Sequence, residues 1–141
     1  MSTTKKDAFA LFGVTQKNER WSWSGISHDQ STLVLTLWSD QYHWNKSARI
    51  FEWSNFGLDN DVWRHDAGNK NRIADIEYAL EHLQGRFRAI RVEPDQNALP
   101  ERVIAQVNPI PNLEWEITDF DPATGECAGQ SYPEKRLFEL V

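Results

Sequence analysis

The sequence predicts an α+β fold. The expected architecture is a mostly antiparallel, curved sheet or partly open barrel of six to seven strands, with one main helix at about residues 70–84 covering one side. Three observations carry this. Period-two spacing of β-branched and aromatic residues recurs along the chain. Helical spacing of apolar residues is convincing only between Ile73 and Leu83. After that stretch, strand-like runs follow one another across short turn-forming sequences, as in a meander.

The first strand signal is "RWSWS", where Trp21 and Trp23 alternate with serines. "SHDQS" follows as a cluster of turn residues, and then "TLVLTLW" places Leu33, Leu35 and Leu37 on one face and Val34, Thr36 and Trp38 on the other. Together these read as a hairpin whose second strand is buried on both faces. "ARIFEWSNF" reads as a third strand, and the Gly-, Asp- and Asn-rich sequence after it as a loop.

The helix comes next. Asn69 or Asn71 is placed to cap it, Ile73, Ile76, Leu80 and Leu83 form its apolar stripe, and Gly85 supplies a left-handed stop. "RFRAIRV" is then a strand ended by Pro94. "RVIAQV" and "LEWEITDF" read as two further strands, the second with a wet face bearing Glu114 and Glu116. "DPATGE" has the chemistry of a turn, with Gly125 able to take a positive φ.

At 141 residues, with 40% apolar and 26% charged side chains, the chain is expected to form a single domain over 1–141. No secretory signal or stretch of membrane-spanning length is present, and Cys127 is the one cysteine, so a soluble cytoplasmic protein is expected. The net charge of −6 is unevenly spread, +1 over residues 1–92 and −7 over residues 93–141. A basic footprint for nucleic acid must therefore come from arginines gathered on one face of the first part.

Catalytic signatures are missing. The phosphate-loop, dinucleotide and zinc-protease motifs do not occur, and His28, His43, His65 and His82 match no metal-ligand spacing. Cys127 reads as a packing residue, and Glu114 and Glu116 as a solvated pair. No catalytic residue, metal or cofactor is expected.

Seven tryptophans are more than a one-helix domain of this size needs. One reading places four or five in the core, Trp115 foremost. The other uses Trp21 or Trp23 with Trp38 and Trp63 as a stacking pocket or platform. Lys70 and Arg72, beside Asn69 and Asn71 at the predicted helix start, would hold a phosphate. Arg86 and Arg88 share a strand face and would add to it. Against this, Arg72 is spaced to pair with Asp75 along the helix, and Arg88 with a neighbouring strand.

The residues Trp21, Ser24, Asp29, Leu35, Trp38, Asp40, Trp63, Gly68, Asn69, Arg72, Arg86, Phe87 and Arg88 carry a pattern that spans most of the chain. It resembles a small domain of bacterial and phage proteins, similar in type to those that accompany modification-dependent restriction nucleases. In composition and architecture the chain also resembles the PUA-like barrels, several of which read modified or flipped bases through aromatic pockets. From its exposed tryptophans and arginines the chain is expected to be a non-enzymatic module that binds a nucleobase, nucleotide or nucleic-acid strand, with Asp40 joining the site. The rival expectation is a regulator or inhibitor that meets a protein partner through its acidic C-terminal strands.

Overall fold

Alternation along Leu33–Trp38 sends two sets of side chains to opposite sides of one strand, and both sides are covered. A computed structural model of the protein describes residues 4–18, 22–57, 63, 65–99 and 102–132, and these residues contain seven strands and two helices. The elements are α1 (Lys5–Leu11), β1 (Ser24–Ile26), β2 (Leu33–Trp38), β3 (Tyr42–Asn45), β4 (Ile50–Ser54), α2 (Ala67–His82), β5 (Arg86–Pro94), β6 (Ile104–Phe120) and β7 (Cys127–Ser131).

The strands make one open sheet in the order β1-β2-β5-β6-β7-β4-β3. Five pairings are antiparallel, but β2 and β5 run parallel, with Leu33 opposite Phe87 and Trp38 opposite Val92. The sheet is thus mixed rather than purely antiparallel. A parallel pair needs a long crossover, and residues 39–85, which include α2, supply it.

Leu33, Leu35 and Leu37 pack with Ile76 and Ala79 of α2 and with Trp53, Phe87, Trp115 and Cys127. Val34 turns to the other side and meets Ala8, Phe9 and Val14 together with Ile90, Val92 and Val107. Trp38 packs against that second cluster. A β1–β2 hairpin is present, but its first strand is Ser24–Ile26, so of the described residues of "RWSWS" only Ser24 lies in it. The turn is organised by Asp29, which accepts from Ser27 Oγ at 2.6 Å and from Ser31 N at 3.1 Å.

Several expectations are corrected. The helix begins at Ala67 with Asp66 as its N-cap, so Asn69 and Asn71 lie inside it. Its buried stripe is Gly68, Asn69, Arg72, Ile76 and Ala79, while Leu80 is 44% exposed. The N-terminal half of the helix therefore turns polar side chains inward. "RVIAQV" and "LEWEITDF" are not separate strands but parts of β6. Pro109 and Pro111 are tolerated inside it because, among the described residues, β7 pairs only with Trp115–Phe120, leaving the earlier part of β6 without a strand partner on that edge.

Candidate functional site

Trp23 lies at the entry to β1, Trp63 just before the cap of α2, and Arg72 one turn into α2. The fold brings the three together. The carbonyl of Trp63 accepts from the Asp66 amide at 3.0 Å, which ties the tryptophan to the helix start. On the other side Ser24, fully buried, donates through Oγ to Asp75 Oδ2 at 2.6 Å, which ties β1 to α2. Asn71 Nδ2 reaches both of those oxygens at 3.3 Å. Burial pushes the Asp75 carboxyl above its ordinary pKa, against the opposing pull of the Ser24 hydrogen bond and of Lys17.

Between these anchors the Arg72 guanidinium stands 4.9 Å from the centroid of Trp23 and 5.2 Å from that of Trp63. The two indoles meet nearly at right angles, 74° apart with centroids separated by 6.3 Å. They make a corner with the cation over a face of each. Arg72 Nη2 donates to Asn69 Oδ1 at 3.2 Å, and Asn69 Nδ2 donates to the Thr124 carbonyl at 2.8 Å. The β6–β7 turn thereby holds the amide that holds the arginine.

Arg72 is 6% exposed, its Nε has no hydrogen-bond partner, and no carboxylate among the described residues forms an ion pair with it. Burial lowers its pKa to about 10, with Cys127 acting weakly in the opposite sense. The same burial pushes the Cys127 thiol up to about 12, so it is neutral at physiological pH. The surface pair between Arg72 and Asp75 is therefore not formed, because position 72 faces inward. Nor do the amides of residues 70–72 form an open anion cradle, since the helix starts three residues earlier and the Lys70 amide donates to the Asp66 carbonyl. Lys70 itself is exposed.

Trp38 does not join this corner. It lies on the opposite face of the sheet, half-buried, under the Arg102 guanidinium at 5.2 Å. Arg102 Nη1 in turn contacts both carboxylate oxygens of Asp40, at 2.9 and 2.8 Å. Trp53 and Trp115 are core, Trp44 is 44% exposed on the edge strand β3, and Trp21 lies outside the described residues.

Arg86 and Arg88 form a third place. Each lies 3.5 Å from an oxygen of Glu114, Arg88 Nη1 also donates to the Pro111 carbonyl, and Arg86 stacks over Tyr132. They line a shallow hollow of about 320 Å³ with Ser31, Thr32, His82 and Gln84. Of the acidic residues on the last strands, Glu114 is bridged by these arginines and Glu116 accepts from Gln130 at 3.1 Å.

Of the residues singled out in the sequence, Trp23, Trp63, Asn69 and Arg72 come together, Trp38 and Asp40 lie elsewhere, and Arg86 and Arg88 line the separate hollow. Sequence reasoning missed Ser24 and Asp75 as the bolt between hairpin and helix. It also missed Arg102, whose only signal is its place beside an apolar run. Among the described residues no group of three or more His, Cys, Asp or Glu is placed to hold a metal ion, and no helix is long and apolar enough to cross a membrane. No family model, curated protein or solved structure matches the chain.

Proposed function

We propose that the protein is a non-enzymatic binding module that takes a nucleobase on the Trp23–Trp63 corner. The observation that carries this reading is a buried arginine whose Nε has no hydrogen-bond partner and which has no carboxylate partner among the described residues, held between two half-buried indoles from remote segments. A cation over one face of an indole leaves the other face uncovered by it, and half-buried Trp23 is the indole that would stack on a flat ring. Flat aromatics stack on bases with about 1–3 kcal/mol per base. The positive charge of Arg72, weakly screened where it is buried, favours an anion-bearing ligand such as a nucleotide over an uncharged ring.

Tryptophan fluorescence titrated with nucleoside monophosphates and with single-stranded and duplex oligonucleotides tests this. Trp23→Ala and Trp63→Ala should each weaken binding by about 1–3 kcal/mol. Trp38→Ala is the control: it should lower the melting temperature and leave binding unchanged, because Trp38 packs against the α1 cluster on the other face. Equal losses of binding in Trp38→Ala and Trp23→Ala, or none in any variant, would remove the corner from the function.

A further inference from the structure

The corner and the arginine hollow lie at opposite ends of one seam. Hairpin β1–β2 runs beside α2, fastened near one end by Ser24 to Asp75 at 2.6 Å and near the other by Tyr78 Oη donating to the Gln30 carbonyl at 2.9 Å. Trp23 and Arg72 stand at the first fastening. Ser31, Thr32 and His82, which line the hollow, stand at the second. Along the helix, Arg72 and His82 are ten residues apart, about 15 Å at 1.5 Å per residue. A stacked strand advances about 3.4 Å per nucleotide, so four to five nucleotides cover that length.

The chemistry of the hollow suits a phosphodiester backbone. Arg86 and Arg88 are 44% and 32% exposed and, among the described residues, share the Glu114 carboxylate at 3.5 Å each. Two fork-shaped donors whose described acceptors are the Glu114 carboxylate and, for Arg88, the Pro111 carbonyl still leave N–H groups for contact with phosphate oxygens. Ser31 and Thr32 add hydroxyls to the rim. Resting on the proposed base site, we propose that the ligand is a single nucleic-acid strand, with one base on the Trp23–Trp63 corner and two phosphates, four to five nucleotides away, held by Arg86 and Arg88.

The test compares a nucleoside monophosphate with a single-stranded hexanucleotide across a salt series. The hexanucleotide should bind more tightly, and its log Kd should change more steeply with log salt. Each phosphate neutralised on a single strand contributes about 0.7 to that slope. Arg86→Gln with Arg88→Gln should therefore lower the hexanucleotide slope by about 1.4. Arg86→Lys with Arg88→Lys should keep the slope. A hexanucleotide with uncharged methylphosphonate linkages makes the same measurement on the native protein, independently of how the variants fold. Equal binding of monophosphate and hexanucleotide, or a slope indifferent to the arginines and the linkages, overturns the proposal and leaves the base site standing. Arginine-dependent binding of a polyglutamate peptide as tight as that of the hexanucleotide also overturns it. A slope that falls as expected while Trp23→Ala binds normally removes the corner and keeps the phosphate groove.

Discussion

Arg72 shows how a single position can carry opposing energies. Desolvation lowers its pKa to about 10, which corresponds to a cost of about 3 kcal/mol at neutral pH. Two desolvated cation–π contacts, each worth about 2 kcal/mol, offset that cost. Methionine in the same place keeps the stem between the indoles and removes the charge. Arg72→Met should therefore leave the melting temperature within a few degrees of the parent while abolishing anion-dependent binding, and Arg72→Ala should lose both. Thermal melts alongside titrations measure it, and a steep loss of stability in Arg72→Met would make the charge structural. Asp29 carries a pH dependence of its own. Hydrogen bonds from Ser27 first and then Ser31 hold its carboxyl down at about 2, below the ordinary aspartate value. A lowered folded pKa contributes stability that is complete above the unfolded value near 4 and is lost as pH falls through about 2. Acid unfolding followed between pH 4 and 2 should be less pH-dependent in Asp29→Asn than in the parent.

At the scale of elements, what was legible followed period and parity. The split of Leu33, Leu35 and Leu37 from Val34 and Trp38 is observed on β2, and it also sends Trp38 away from Trp23 and Trp63. Helix α2 was visible from Ile76 onward, but its first half was not, because the residues it buries there are Asn69 and Arg72 rather than apolar ones. Helix α1 was missed although Thr4 and Asp7 form an N-terminal capping pair, with Thr4 Oγ1 accepting from the Asp7 amide at 3.1 Å. The candidate site was half legible: the residue types were readable, whereas the helix start was placed three residues late and the depth of Arg72 depends on the β6–β7 turn, over 50 residues away. That turn supplies a prediction. Gly125 has φ +89°, and a Cβ there would collide with the Asn69 side-chain amide that holds Arg72. Gly125→Ala should cost about 1–3 kcal/mol for the left-handed backbone alone. It should also weaken ligand binding at the corner, through displacement of Asn69. Chemical denaturation and titration of that one variant check both effects.

Across the whole molecule, stability should be graded from the middle of the sheet outward. Strands β2 and β5 are paired on both edges, β2 with β1 and β5, β5 with β2 and β6. Both faces of the pair are also covered, one by the α2 cluster and the other by the α1 cluster, so Leu33, Val34, Leu35, Ala89 and Ile90 have no exposed surface. Strand β3 is the opposite case: it closes one side of the sheet, pairs among the described residues only with β4, and carries exposed His43 and Trp44. Amide exchange reports opening free energies that run from near zero at frayed edges to the global value in the core. Protection should therefore peak in β2 and β5, including the parallel ladder between them, and be least in β3. The proposed base corner leans on β1 and α2, and the proposed arginine groove on the end of α2 and the start of β5. Ligand should therefore add protection at Ser24–Ile26, Ala67–His82 and the first residues of β5 and leave β3 unchanged. Exchange measured by mass spectrometry with and without a hexanucleotide separates the cases. Protection gained at β3, or slow exchange there in the free protein, would place the binding surface on the far edge of the sheet instead.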